Sequence, residues 1–130
     1  MTSDGSDQNL SLGVLIYSDR GIAETVELAK LSESLGCNYF WYTDVRFARE
    51  CYVVLGSIAS ATKNILLAPG VTDPYSRHPA LTAVAIATLD EMSNGRAVLG
   101  LGVGAAGFKE LGITPVLPIA AMREAIAVFR

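Results

Sequence analysis

Between Pro69 and Gly104 the chain reads PGVTDPYSRHPALTAVAIATLDEMSNGRAVLGLGVG: a strand end, a tight loop, one complete helix, a glycine turn and a second strand. A helix of this length between two strands carries the chain back to the same end of the sheet, so the two strands must run parallel. Parallel α/β folds bind their ligands just beyond the carboxyl ends of the strands. The two such ends here, APGVT and GLGVG, mark where chemistry is expected.

The rest of the chain keeps the same rhythm. Residues 12–17 (LGVLIY) form a short apolar strand, and Ile22 to Leu35 read as a helix with Leu28, Leu31 and Leu35 on one stripe and Gly36 as the stop. Residues 39–42 (YFWY) are aromatic and strand-like, ending at Thr43-Asp44. Residues 49–61 predict a second helix with Tyr52, Leu55 and Ala59 on a shared face, and 65–68 (ILLA) a third strand. The third helix opens at Pro79, whose missing N–H costs nothing in a first turn, and stops at Asn94-Gly95. Leu81, Ala85, Leu89 and Met92 are its expected core stripe. A fourth strand is predicted at 97–101, and a last helix at 119–130 with Ile119, Met122, Ile126 and Phe129 on one face.

Four βα units suit either a doubly wound open sheet or half of a (β/α)₈ barrel, which needs eight units and roughly 250 residues. The chain stops on a helix at Phe129-Arg130, which reads as a truncation. With 130 residues, 51% of them hydrophobic, it can build one compact core. A net charge of −3 gives no electrostatic reason to expect nucleic acid or an anionic membrane as partner. Residues 1–11 are expected to form a disordered polar leader rather than a signal peptide, and no apolar run approaches the ~20 residues of a membrane span. A cytoplasmic protein is the plain expectation. Cys37 and Cys51 match neither a disulfide framework nor a metal-ligand spacing, so no metal site is expected.

Gly102-Val103-Gly104-Ala105-Ala106-Gly107 fits the dinucleotide pattern GxGxxG, but the continuation FKELGITPVLP is broken by Gly112, Pro115 and Pro118 where a helix should open. Two readings remain open from spacing alone. These glycines either let a flat ring approach the backbone or merely turn a strand into a loop. His78, the single histidine, reads as a helix-start residue packed under a loop. Asp90 near the third helix's end reads as a structural partner of Arg96, and Trp41 as packing rather than a stacking platform.

The stretches YFWYTD, ECYVVLGSIASATKNILLAPGV, RHP…TLDEMSNGR…GLGVG and ELGITPVLPIAAMREAIAVFR together resemble the luciferase-like oxidoreductase superfamily. The branch they resemble most contains the coenzyme F420-dependent methylenetetrahydromethanopterin reductases. The resemblance implies an α/β fold in which residues 12–130 are the N-terminal half, four βα units with a parallel sheet, of a TIM (β/α)₈ barrel more than twice this length. It implies hydride transfer between bound coenzyme F420 or FMN and a small organic substrate such as a methylene-tetrahydropterin. An FMN-dependent monooxygenase of the same superfamily is the alternative, and a non-catalytic half-barrel interaction module a further one.

By the same resemblance, Gly70, Val71 and Thr72 form a bulge with a non-prolyl cis peptide that supports the ring, while Gly102 and Gly104 keep one side open. Asp44 becomes a ring-proximal acid able to relay a proton, against the plainer reading of a helix N-cap or loop acid. Relatives in that branch carry an acid soon after the last glycine of strand four, where this chain has Ala105-Ala106, which bears on substrate and cofactor. Four strands alone leave open sheet edges and uncovered apolar surface, so a homo-oligomer or an aggregation-prone chain is expected.

Overall fold

The computed structural model describes residues 10–104 and 107–130. The order of elements is β1 (Gly13–Ile16), α1 (Ile22–Ser34), β2 (Tyr39–Tyr42), α2 (Cys51–Ala61), β3 (Leu66–Pro69), α3 (Pro79–Ser93) and α4 (Pro118–Val128). The strands pair in parallel in the order β1-β2-β3, with Leu15, Trp41 and Ala68 in one row. Because side chains alternate along a strand, Phe40 and Tyr42 turn to the helices. There they join Leu55, Ile58, Leu67 and Leu89 in the core. The opposite face carries Gly13, Leu15 and Trp41, and Leu15 is still 48% exposed. A doubly wound sheet would cover both faces; here the helical layer and the core lie on one. Trp41 is packing on that second face: it stacks on Tyr39 at 6.0 Å, and side chains at Gly13 or Gly70 would run into it.

The fourth strand is shorter than expected. Among the described residues, 97–101 makes two isolated parallel bridges, Leu67–Ala97 and Thr72–Leu101, instead of a continuous ladder. Leu67 donates to the Arg96 carbonyl and its own carbonyl accepts from Val98, after which the ladder calls for Pro69 to donate, and proline has no N–H. Pairing resumes when Thr72 donates to the Gly100 carbonyl and Gly102 to that of Thr72. Five steps on one side (67 to 72) oppose four on the other (97 to 101), which defines a β-bulge. Gly100 permits it, since a Cβ there would lie 2.1 Å from the Pro69 carbonyl oxygen.

The helices stand where periodicity puts them, but three of their four buried faces differ from expectation. In α1 the buried residues are Thr25, Ala29 and Ser32, while Leu31 and Leu35 face outward. In α3 they are Thr82, Leu89 and Ser93; Leu81 and Met92, two members of the expected stripe, are exposed. In α4 only Ala125 is buried and Ile119 and Ile126 are exposed. Small residues take most inner positions of α1 and α3, whereas α2 between them buries Val54, Leu55 and Ile58 and α3 buries Leu89. The α2 face holds as expected, with Leu55 and Ala59 buried and Tyr52 packed against the core. Its N-cap is Glu50, which accepts from the Val53 N–H at 2.8 Å.

The amino ends of the strands are organised by Arg96, which does not pair with Asp90. Its Nε donates to the Ser93 carbonyl at 2.7 Å, one Nη to Thr62 Oγ1 and the Ile65 carbonyl, and the other to the carbonyls of Ala59 and Thr62. All five guanidinium N–H groups are thus used. Four of the five acceptors lie at the carboxyl ends of α2 and α3, where the helix dipoles place negative potential, and the fifth, the Ile65 carbonyl, precedes β3. Asp90 instead accepts from the Ala97 N–H at 3.1 Å. From α1, one Glu33 carboxylate oxygen accepts from the N–H groups of Lys63, Asn64 and Ile65. Burial raises the Glu33 pKa, but these three bonds and nearby Arg96 outweigh it and hold the carboxyl below its ordinary value.

Replacing Arg96 with Met should cost at least about 3 kcal/mol in chemical denaturation by stranding buried acceptors, and Lys, with three donors, should recover only part. A Glu33→Gln variant should be less stable by about 1–2 kcal/mol at neutral pH. Because the folded carboxyl is depressed, this advantage is complete above the unfolded pKa of about 4.3 and lost as pH falls through the folded value, so melting curves of variant and parent should converge in acid.

Candidate functional site

The carboxyl ends of the strands gather the residues singled out in the sequence. Where β1 and β2 end, Ser18 donates its N–H to Thr43 Oγ1 at 2.9 Å, and Arg49 reaches the Ser18 carbonyl at 3.1 Å. Where β3 ends, the Gly70–Val71 peptide is cis, at the expected position. The bulge turns Val71 outward, 43% exposed, and Thr72 inward, fully buried. The hydroxyls of Thr72 and Tyr52 are buried as neighbours, and neither finds a well-formed partner among the described residues. Burial pushes the Tyr52 phenol up to about 12, while the neighbouring Thr72 hydroxyl acts in the opposite direction.

Residues 70–72 and 102–104 lie side by side, joined by the Gly102 N–H to Thr72 carbonyl bond of 2.9 Å. The space beside Gly102 is taken by Val71, since a Cβ there would come within 2.6 Å of Val71 Cγ2. Gly104, in the left-handed region at φ +63°, has Arg46 Nη2 3.2 Å and Phe108 Cζ 3.4 Å from where a Cβ would stand. No helix opens at Gly107; turns follow, and α4 begins at Pro118. The dinucleotide pattern therefore lacks the helix N-terminus that its chemistry needs. Ala105 and Ala106 lie outside the described residues.

Asp44 lines a cleft with Arg46, Phe47, Glu50, Arg77 and His78. It is not an N-cap, since Glu50 holds that position. His78 is the N-cap of α3, its Nδ1 accepting from the Ala80 N–H at 3.2 Å, with the imidazole exposed rather than packed beneath a loop. Glu50 also pairs with Arg77, whose guanidinium lies 5.0 Å from the Tyr52 ring centre. A largely apolar hollow around Leu117, Pro118 and Ile119 shares no residue with the strand ends.

Two charged residues here escaped the sequence reading. Arg46 pairs with Asp73, and both are nearly buried. Asp73 Oδ1 accepts from the N–H groups of Tyr75 and Ser76 at 2.8 Å each, an Asx turn for which DPYS is a fair sequence signal. Nothing local signals the pairing with Arg46, because 27 positions separate the partners (73 minus 46). Burial lowers the Arg46 pKa, and Asp44 works in the opposite direction.

Residues 5–130 match the luciferase-like monooxygenase family. The chain is 43% identical over 122 residues to the 5,10-methylenetetrahydromethanopterin reductase of Archaeoglobus fulgidus, covering 93% of itself and 37% of that protein. The structure of the coenzyme F420-dependent tetrahydromethanopterin reductase of Methanopyrus kandleri superposes with a TM-score of 0.87 at 35% identity, over 92% of this chain and 39% of that one. An FMN complex of the oxygenating constituent of 3,6-diketocamphane monooxygenase from Pseudomonas putida shares the fold, with a TM-score of 0.80 at 21% identity, over 92% and 38%. The chain thus spans well under half the length of these relatives. The parallel α/β units, the bulge where β3 ends and the match along nearly the whole chain agree: this chain belongs to the luciferase-like monooxygenase family.

Proposed function

We propose that this chain supplies the ring-supporting part of a luciferase-like oxidoreductase that moves a hydride between coenzyme F420 and a small organic substrate such as a methylene-tetrahydropterin. The observation that carries this reading is the outward-facing Val71 on the bulge, flanked by Gly102 and by Val103, which is 37% exposed. Side chains this apolar at a strand end, left uncovered beside a buried polar layer, fit the face of a flat, largely apolar ring. The F420-dependent Methanopyrus kandleri reductase as a solved relative supports the deazaflavin over FMN.

When bound, the deazaflavin supplies the hydride chemistry, and the protein contributes position and electrostatics. Gly70 and Val71 would carry one face of the ring, and Thr72 anchors the bulge to the fourth segment through its backbone bonds to Gly100 and Gly102. Asp44, in the cleft it shares with Arg46, is suited to hold or pass a proton on the substrate side.

We further propose that copies of the chain associate through the outer face of α2 and α3. Val53, Leu81, Val84 and Met92 there are each at least 50% exposed, and Met92 Cε reaches 3.5 Å from where a Cβ at Gly56 would stand. Exposed apolar side chains gathered on one side of two packed helices fit a protein neighbour. Val84→Glu should therefore shift the chain to monomer in sedimentation.

Titration with F420, followed by its fluorescence, should saturate, and reduced F420 should be reoxidised anaerobically by a methylene-tetrahydropterin. Tight FMN binding with oxygen uptake would favour the monooxygenase instead, and binding of neither would favour an interaction module. Gly102→Ala, which drives a methyl into Val71, should weaken F420 binding about ten-fold while costing only ~1–3 kcal/mol of stability.

A further inference from the structure

Arg46 touches every loop at the carboxyl end of the sheet beyond β1. It leaves the loop after β2, pairs with Asp73 and donates to Ser76 Oγ at 3.2 Å in the loop after β3. Its guanidinium carbon lies 4.5 Å from the centre of the Phe108 ring in the loop after the fourth segment. Phe108 is itself 5% exposed and meets Tyr75 edge-on at 5.7 Å. The stem of Arg46 fills the space beside Gly107, where a Cβ would come within 2.9 Å of Cδ and 3.0 Å of Cβ. Gly107 has φ +81° as well, so both its conformation and its contact exclude a side chain.

We infer that Arg46 is a positioning residue: a latch that holds the glycine-rich loop after the fourth segment down on the strand ends, through Asp73 on one side and Phe108 on the other. The glycines after strand four then serve a protein cation rather than a pyrophosphate. A planar fork suits the task because it can pair edge-on with a carboxylate while its flat face lies over an aromatic ring, a geometry a compact ammonium matches only in part. Asp73 compensates the charge, and its own Asx turn keeps it aimed at the arginine. The purpose of the latch, to keep the seat beside Gly102 in shape, rests on the functional reading above; its mechanical part does not.

Trypsin separates a latch from an ordinary stabilising ion pair. Lys109 follows Phe108 directly and is exposed, whereas Lys63, also exposed, lies at the far end of the sheet in the turn held by Glu33. Under native conditions Arg46→Met should raise cleavage at Lys109 by about ten-fold or more relative to cleavage at Lys63, because only the loop opens. Arg46→Lys should keep part of the protection. Should the single variant unfold because Asp73 is left buried and unpaired, the double variant Arg46→Met/Asp73→Asn removes both charges; it should regain thermal stability yet still expose Lys109. Unchanged cleavage at Lys109, or a parallel rise at both lysines in the folded double variant, would overturn the latch. F420 affinity of the double variant should fall about ten-fold, the equivalent of roughly 1.4 kcal/mol. If the parent chain binds neither F420 nor FMN, the functional reading fails while the cleavage ratio still decides the latch.

Discussion

Five oxygens from the ends of two helices, the turn between α2 and β3 and the start of the third strand region converge on the buried guanidinium of Arg96, and the positions of α2, α3 and the fourth segment follow from that convergence. Helix carboxyl ends carry orphan carbonyls that water normally satisfies. Here they point at one another inside the protein, where leaving them unpaired costs more than the desolvation of one well-bonded cation. With Arg96 satisfied, the next residue, Ala97, pairs with Leu67 and the fourth segment is delivered to the edge of the sheet. Glu33 closes the same end from α1 by gathering three backbone N–H groups of the turn.

The opposite end of the sheet is arranged by a deficiency rather than a bond. Pro69 cannot donate where the ladder needs a donor, Gly100 lets the two backbones approach, and one surplus residue leaves the sheet as a bulge. The bulge sends Val71 out and Thr72 in. The two ends therefore have different characters: polar closure with every donor used around Arg96, and an uncovered apolar ledge at the carboxyl end on which the proposed function depends. Placing the rigid end away from the ledge is a common economy of parallel α/β folds, in which stability and chemistry occupy opposite ends of the strands.

Much of this was legible along the chain. Pro79 and Asn94-Gly95 bracket α3 as their backbone preferences require, with Asn94 at φ 56° and Gly95 at φ 80°. The helices lie close to their expected ranges, and the site residues 70–72 and 102–104 do meet. Leucine periodicity misled in α1 and α3, because a stripe of large residues shows that a helix is amphipathic but not which of its faces meets the sheet. Here Thr25, Ala29 and Ser32, then Thr82 and Ser93, take the close contacts. Asp44 follows its strand as expected, but Gly102 meets Val71 and Gly104 and Gly107 meet Arg46, contacts that local spacing could not place.

What the sequence determined by itself is the set of parallel βα units, with the punctuation of each helix and the two glycine-bearing strand ends. These follow from backbone constraints local to a few residues: the missing N–H of proline, the left-handed tolerance of glycine and asparagine, and the run lengths of apolar residues. Only the tertiary structure decided that Arg96 serves carbonyls rather than Asp90, that small residues rather than leucines face inward, and that Arg46 reaches both Asp73 and Phe108. Each of those outcomes is a competition among partners tens of residues apart. Distance along the chain carries no information about which of them arrives within hydrogen-bonding reach once the sheet has brought its ends together.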